Sequence, residues 1–312
     1  MSTDTSGGPP AGVSAAGTAP ARPRLDWLAA EPPAPHRAVP AWLRFFFSEL
    51  RLIFGRLRNL AMLAVLAAVP VFFGIVFRLT LNSVSQGGGP PFLNQLAGNG
   101  VFLTLVVLTF TQSLLLLPLS VGLVAGDSVA AEAGLGTLRG LLTVPAGRTR
   151  LLSVKYAAIM VFSLTACLVV AVVSLIMGLL LFRTGQVTLL SGNAVSLGSG
   201  VLRVLAVAVY AAVAMMSLGA IGLAASTLTQ HPVGAIAAIL VLTVASEICD
   251  QVQQLSAIHS FLPTHYWLSW DGLFRSPADW SGIEHGVVSF AVYAAIFVAI
   301  AWARFTSADI TS

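Results

Sequence analysis

The chain has 312 residues, of which 57% are hydrophobic and only 9% are charged. A soluble domain usually carries about 25% charged residues, so a water-soluble globule of this length could not cover its surface. The mean hydropathy of +0.89 indicates that lipid surrounds most of the chain, which excludes a soluble enzyme, a disordered scaffold and a secreted disulfide framework. The net charge of +4 does not predict nucleic-acid binding, because the cations are spread over the loops. Cys167 and Cys249 lie in or beside apolar runs and predict neither a disulfide nor a metal site.

The first 40 residues form a distinct segment. They contain eight of the sixteen prolines, and glycine, alanine, serine and threonine fill many of the positions between them. Such a segment buries too little apolar surface to offset the entropy cost of ordering it. We therefore predict a disordered, Pro-rich cytoplasmic leader over residues 1–40.

Residues 41–58 have the pattern of an amphipathic helix. At about 100° per residue, Arg44, Arg51 and Arg58 share one face, and large apolar side chains lie opposite them. Glu49 and Arg56 interrupt the apolar side. We predict a helix that lies in the membrane interface, with a helix packed on a protein partner as the alternative.

Six uncharged apolar segments follow, at residues 60–77, 101–125, 156–182, 204–228, 233–246 and 286–303. Five of them contain at least about 18 residues, the length that a membrane-spanning helix requires. The segment that begins at residue 233 is shorter; alone it could be re-entrant, and it spans if it is extended to about residue 255. We predict six transmembrane helices over residues 59–304, with kinks at Pro70 and Pro118.

Loop charges predict the orientation of these helices. Twelve of the sixteen Lys and Arg residues lie in the N-terminal region, in the loop after the second span and in the C-terminal tail. Because cytoplasmic loops carry the excess of positive charge, we predict that both termini are cytoplasmic, including a short tail over residues 305–312.

The segment 256–284 then lies on the outer side of the membrane. It carries three tryptophans, Trp267, Trp270 and Trp280, and tryptophan favours the headgroup level. We predict one or two short re-entrant helices in the outer leaflet, broken at Pro263 and Pro277.

Residues that could carry chemistry are few. The five clearest spans contain no ionisable residue between their ends, and the one lysine, Lys155, does not stand in a GxxxxGK[ST] phosphate-binding loop. His259, His265 and Asp271 could be considered as metal ligands, but interfacial side chains are the favoured interpretation. We predict no catalytic, cofactor or metal site in this chain, so any ATP and magnesium would bind to another subunit.

One cytoplasmic segment has a far more specific pattern. Residues 126–155 read GDSVAAEAGLGTLRGLLTVPAGRTRLLSVK. The positions that stand out are Glu132, Gly136, Thr137, Leu138, Leu141, Leu142, Pro145, Arg148 and Lys155. This spacing resembles the intracellular loop between the second and third spans of ABC-2-type permeases, the membrane subunits of many bacterial ABC exporters. The interfacial helix (the family's elbow helix), the six spans, the outer re-entrant segment and the ending FTSADI also resemble that family.

The loop is amphipathic in its own right. An apolar stripe at helical spacing is formed by Leu135, Leu138, Leu141 and Leu142. A short helix of this kind can dock into a groove of a partner, and the resemblance implies that the loop over residues 126–150 carries the coupling helix, with the nine positions above as partner-coupling residues. Pro145 would end that helix, while Arg148, Arg150 and Lys155 would hold the base of the third span at the inner leaflet. The alternative is an amphipathic loop helix on the lipid surface.

The resemblance implies an all-α polytopic membrane protein with an ABC-2, type V exporter-like fold. It also implies a transport subunit, not itself an enzyme, of an ATP-driven exporter in the cell membrane (the inner membrane of a bacterium). Two ATP-binding cassette subunits and a second permease, identical or paralogous, would complete the complex. Uncharged spans favour an amphiphilic or apolar cargo such as a drug or lipid. An ABC importer permease and a membrane-embedded lipid-modifying enzyme remain as alternatives, although Gly134 after Glu132-Ala133 departs from the importer signature.

Overall fold

The computed structural model describes residues 41–84, 99–134, 148–182, 185–189, 191–229 and 231–307. Within these ranges the chain is an all-α, multi-pass membrane protein. Five helices are long and apolar enough to cross a membrane, and a bent pair of helices makes a sixth span if the pair is counted as one. The predicted leader over residues 1–40, most of the predicted coupling loop and the last five residues lie outside the described residues.

The helices have the following bounds: α1 Ala41–Gly55, α2 Leu57–Val84, α3 Val101–Ser113, α4 Leu116–Gly134, α5 Arg148–Leu181, α6 Leu197–Leu228, α7 Pro232–Gln251, α8 Ser256–His259 and α9 Ser281–Ser307. Short 3₁₀ helices cover Gln253–Leu255 and Ser269–Phe274. Two strands, β1 Val187–Thr188 and β2 Ala194–Val195, form an antiparallel pair that pairs Val187 with Val195. This hairpin is not predicted from the sequence, because two-residue strands show no recognisable alternation of apolar and polar residues.

The second predicted span is broken into α3 and α4, which meet at an angle of 53°. Pro118 explains the position of the break. It has no N–H to donate to the carbonyl of Leu114, four residues earlier, and its ring clashes with that carbonyl. The helix accordingly stops at Ser113, and Leu115 adopts a left-handed conformation with φ of 63°. The predicted kink is therefore confirmed, whereas α2 continues as one helix through Pro70.

Helix α6 is the central helix of the bundle. In its most apolar stretch 72% of the residues are buried, against 17% in α2 and α9. Small residues permit this burial: a Cβ atom added at Gly222 would lie 2.6 Å from the Cβ atom of Ala125 in α4, and one at Gly219 would lie 2.6 Å from Ile159 in α5. Close approach of this kind is how membrane helices gain packing energy, since lipid provides no hydrophobic drive between them. The other long helices present apolar side chains to the lipid.

The segment over residues 256–284, predicted to lie on the outer side, is bound to the helices of the bundle. The hydroxyl of Tyr210 in α6 donates to the carbonyl oxygen of Tyr266 at 2.5 Å, and the hydroxyl of Tyr293 in α9 donates to the carbonyl of Phe261. At its end, Asp279 accepts hydrogen bonds from the hydroxyl and the N–H of Ser281, at 2.7 and 3.0 Å, where α9 begins. These hydrogen bonds hold the pKa of Asp279 below its ordinary value.

The three tryptophans of this segment do not share one environment. Trp267 is only 2% exposed and belongs to the hydrophobic core, whereas Trp280 is 55% exposed. The ring of Trp267 is therefore enclosed by protein, and the headgroup level predicted for the tryptophans stays a prediction. Short helices are present in the segment, as predicted, with a turn at Pro263 and a break before Pro277.

Candidate functional site

A group of five charged side chains, here called the ionic cluster, lies at the end of the bundle from which the loop between α4 and α5 departs. Its members are Glu49, Arg56, Arg58, Asp127 and Lys155. They come from α1, from the junction of α1 and α2, from α4 and from α5. The cluster thus joins the first two helices to both helices that carry the loop.

The first ion pair of the cluster is buried. Lys155 Nζ in α5 lies 3.3 Å from Glu49 Oε1 in α1, and the two side chains are 3% and 9% exposed. Ring contact between Phe54 of α1 and Phe162 of α5, with centroids 5.9 Å apart, continues the same interface. An ion pair with so little exposure is weakly screened by water, and removing either partner leaves an uncompensated buried charge.

The second part of the cluster centres on Asp127. This side chain is 7% exposed on α4, and its Oδ2 atom lies 3.3 Å from Arg56 Nη1 and also contacts the guanidinium of Arg58. Arg56 is the single residue between α1 and α2, so one carboxylate holds the turn between these helices against α4. Both arginine side chains are almost half exposed, and their outer faces can reach solvent or lipid phosphate.

A small cavity of about 30 Å³ lies within the cluster. It is lined by four of the five charged groups, all except Arg58, and by apolar side chains. The buried Asn59 also lines it, and the Nδ2 atom of Asn59 donates to the carbonyl oxygen of Ile53 at 2.9 Å. That hydrogen bond crosses the break between α1 and α2. A volume of this size holds a water molecule, and such a water has polar partners on several sides.

Ser226 ties the same end of α4 to α6. Its hydroxyl donates to the carbonyl oxygen of Gly126 at 2.8 Å and accepts from the N–H groups of Val129 and Ala130 at 3.0 and 2.9 Å. Gly126 precedes Asp127 directly. Ser226 of the central helix therefore holds the backbone of α4 beside Asp127, whose side chain is held by the ionic cluster.

We expect Ser226→Ala to destabilise the protein by about 1–2 kcal/mol, because three buried hydrogen bonds between α4 and α6 are lost in a site that water cannot reach. Ser217→Ala is the matched control. Ser217 is equally buried on the same helix, but its hydroxyl donates only to the carbonyl oxygen of Ala214 in its own helix. Unfolding by SDS titration, followed by tryptophan fluorescence, measures both. Equal losses in the two variants would contradict the assigned role of Ser226.

An apolar groove of about 570 Å³ runs between α5 and α9 at the same end of the bundle. Its walls include Tyr156, Met160, Val298 and Trp302. The Trp302 indole N–H donates to the hydroxyl oxygen of Thr149 at 3.1 Å, which joins the two helices beside the groove. Its volume lies in the range that binds small molecules, and its walls suit an apolar ligand with few polar groups.

The structure describes only some of the predicted partner-coupling residues. Gly136, Thr137, Leu138, Leu141, Leu142 and Pro145 lie outside the described residues. Glu132 lies in the last turn of α4, and Arg148 is the first residue of α5. The position of Lys155 differs from the prediction that it contacts the inner leaflet: its ammonium group faces Glu49 in the protein interior, because the carboxylate compensates a charge that burial would otherwise disfavour.

The contact of Asp127 and the partner of Glu49 are not among the features predicted from the sequence. A signal was present for Glu49 and Arg56, since both interrupt the apolar face of residues 41–58. Asp127 sits at the end of an apolar run, which is also a signal of a buried polar contact. Asp271, considered above as a metal ligand, instead pairs with Arg275 at 2.9 Å, one helical turn further on.

Comparison with known proteins assigns the chain to one protein family. The family model "Protein of unknown function (DUF2705)" matches residues 60–311, which is most of the chain. No curated protein is significantly similar to it. The matched range includes the spans, apart from the first three residues of α2, together with Asp127 and Lys155, but it begins after Glu49, Arg56 and Arg58.

Proposed function

Since the chain belongs to the DUF2705 family, whose function is unknown, we propose its function from its fold and its ionic cluster: it is the membrane subunit of an ATP-driven exporter. In this proposal the loop between α4 and α5 docks onto a separate ATP-binding subunit. ATP binding moves the loop, and the movement changes access to the transport path.

The observation that carries the proposal is the attachment of both loop-bearing helices to the N-terminal helices. Asp127 of α4 binds Arg56 and Arg58, and Lys155 of α5 binds Glu49. A force on the loop would therefore move α4 and α5 together with α1 and the start of α2. Ion pairs that connect four helices suit a part of the protein that receives force from a partner. A passive loop on the lipid surface would not require these ion pairs.

The energy source and the partners follow from what the sequence contains. Its one lysine is used in a buried ion pair, and no phosphate-binding loop surrounds it, so two ATP-binding cassette subunits would supply ATP hydrolysis with their own ATP and magnesium. A second permease, identical or paralogous, would complete the path. The loop end is assigned to the cytoplasm because most Lys and Arg residues outside the spans lie there, which places both termini inside.

The apolar groove supports the proposed class of cargo. It opens between α5 and α9 next to the first residues of α5, and its walls are apolar apart from a few hydroxyl groups and one indole N–H. A drug-like or lipid-like amphiphile can place its apolar part in such a groove and its polar part near Thr149 and Trp302. We therefore propose export of an amphiphilic or apolar cargo.

Leu138→Asp tests this function. The substitution places a carboxylate in the leucine stripe, where burial of a large apolar side chain contributes about 1.5–3 kcal/mol to docking. We expect the tagged wild-type protein, isolated from the membranes of its own host, to retain an ATP-binding cassette protein. The variant should retain at least about ten times less of it, and reconstitution in nanodiscs should show a similar loss of ATP hydrolysis.

Thr143→Asp is the matched control, because it adds the same charge to the same loop on a position off the leucine stripe. It should retain the partner at the wild-type level. Both variants should insert and unfold like the wild type, since neither position lies in a span. Retention of the partner and of ATP hydrolysis by Leu138→Asp would rule out this loop as the coupling element.

A further inference from the structure

A second group of polar side chains lies at the opposite end of the bundle, far along the chain from the ionic cluster. Asp250 stands in the last turn of α7, His259 ends α8, and His265 lies in the turn that follows. The oxygen or nitrogen atoms that these three side chains offer all lie within 4.8 Å of one another. We propose that Asp250, His259 and His265 form a binding site for a divalent transition-metal ion of the zinc type.

The distances bracket those of a metal site. His265 Nδ1 lies 2.5 Å from Asp250 Oδ1, and His259 Nδ1 lies 3.9 Å from the same oxygen. Two ligands of a tetrahedral zinc ion, each about 2.0–2.2 Å from the metal, are about 3.3 Å apart. Shifts of less than 1 Å in these two distances would therefore bring the carboxylate oxygen to ligand spacing from both histidines, and the two histidine ligand atoms lie within 4.8 Å of each other.

The tautomer of His259 favours the same interpretation. Its Nε2 atom lies 3.1 Å from the carbonyl oxygen of Val252. A carbonyl only accepts hydrogen bonds, so Nε2 carries the hydrogen, and in the neutral ring Nδ1 presents a lone pair towards Asp250. A cation between that lone pair and the carboxylate oxygen removes their repulsion. A backbone carbonyl that orients the far nitrogen in this way is the usual support of a metal-binding histidine.

The site is held in place before any ion binds. Ser246 and Asp250 are one turn apart on α7, and they contact consecutive residues of the turn: Ser246 Oγ lies 2.7 Å from Thr264 Oγ1, and Asp250 contacts His265. Tyr266 packs its ring against His265 at 4.7 Å with an edge-to-face angle of 78°. Two neighbouring contacts fix the register of the turn against the helix, so little conformational freedom is lost on binding.

The ligand set selects the metal. Two imidazoles and one carboxylate suit zinc and its neighbours, whereas magnesium and calcium prefer sites made entirely of oxygen. The three side chains are between 18% and 31% exposed, which leaves the fourth position open to water. When the ion binds to Nδ1 of His265, it replaces the hydrogen that this nitrogen donates to Asp250. In the neutral ring that hydrogen passes to solvent while Nε2 takes one up, so the ring stays neutral and binds the metal through Nδ1.

The bound ion is expected to link the outer segment, residues 256–284, more firmly to the helices. That segment is already bound to α6 through Tyr210 and to α9 through Tyr293. An ion held by Asp250 and the two histidines would strengthen the contact that α7 already makes with this segment. The inference does not depend on the proposed function, because it concerns a different end of the molecule and a different ligand.

Zinc binding to the purified full-length protein tests the site. The protein should carry a histidine-free tag, be stripped with a chelator and be titrated with zinc chloride in competition with a chromogenic chelator. We expect one zinc ion per chain and a rise in Tm of about 5–10 °C at a large excess of zinc. Magnesium chloride at the same concentration should produce neither effect.

Variants locate the ion. His259→Ala, His265→Ala and Asp250→Asn should each weaken zinc binding at least about 100-fold, since even outer-shell losses cost 10–100-fold. Asp250→Asn keeps an oxygen that can accept from His265, so it should remain folded without zinc. His285→Ala and His231→Ala, which change histidines outside the cluster, should bind like the wild type. Absence of wild-type binding at millimolar zinc, or unchanged binding in all three cluster variants, would overturn the proposal.

Discussion

Gly178→Ala should abolish most of the folded protein in the membrane. Gly178 of α5 lies against Gly100 at the start of α3, and an added Cβ atom would be 2.1 Å from the carbonyl oxygen of Gly100. The obstacle is backbone rather than a side chain that could rotate, so the two helices would have to separate by about 1 Å. Overpacking of this kind costs up to about 3 kcal/mol, and here it also breaks the helix contact that small residues provide.

Gly100→Ala should have the same effect, because its Cβ atom would meet the Gly178 carbonyl oxygen at 2.0 Å. The double variant should lose less than the sum of the two, since both changes disturb one contact. Gly198→Ala is the control: Gly198 is a helical glycine of α6 with open space around its Cβ position. The yield of monodisperse protein after detergent extraction, and its Tm, measure the difference. A Gly178→Ala protein with wild-type yield and Tm would contradict the close crossing of α3 and α5.

Lys155→Met should destabilise the protein by about 3–5 kcal/mol, the cost of leaving one charge of a buried pair without its partner. Glu49, with a side chain 9% exposed, would have to take up a proton or draw water into the interface of α1 and α5. Unfolding by SDS titration measures the loss. Arg150→Met, an exposed change one turn earlier on the same helix, should shift the free energy of unfolding by less than about 0.5 kcal/mol.

The paired variant Glu49→Leu/Lys155→Met separates the ion pair from simple packing. Replacing both members of a buried pair by apolar side chains is often close to neutral, so this variant should recover most of the stability that Lys155→Met loses. Proteolysis of α1 in nanodiscs gives a second readout, because a released helix is cut faster. If the paired variant is as unstable as Lys155→Met, the unpaired charge is not the cause of the instability.

The spans could be predicted because their signal is local. An uncharged run of about 18 residues can hardly be anything other than a membrane helix, and Pro118 predicts a break by its own chemistry. The hydrogen-bonded hairpin and the burial of Trp267 were not predictable in the same way. Whether an indole faces lipid or protein depends on which residues pack against it. Phe274 belongs to the same buried core as Trp267, but the sequence around Phe274 looks like that around a lipid-facing residue.

The ionic cluster could be predicted in part. Glu49 and Arg56 interrupt an amphipathic face, and such interruptions indicate a polar partner without naming it. The partner of Arg56 is 71 residues away and that of Glu49 is 106 residues away, so only the packing of α1, α4 and α5 determines the pairs. The choice of carboxylate beside the two histidines shows the opposite error. Asp271 is nearer to His265 in sequence than Asp250 is, but Asp271 pairs with Arg275 four residues later. The carboxylate that contacts His265 is that of Asp250.

The buried pair between α1 and α5 has a consequence for the order of biosynthesis. Glu49 emerges from the ribosome long before Lys155, which is 106 residues later in the chain. Until the third span has been synthesised and inserted, the carboxylate has no lysine to meet, and α1 must wait at the surface of the bilayer with its acid in water. The ion pair that holds the N-terminal helix can therefore form only after the third of the six spans is in place.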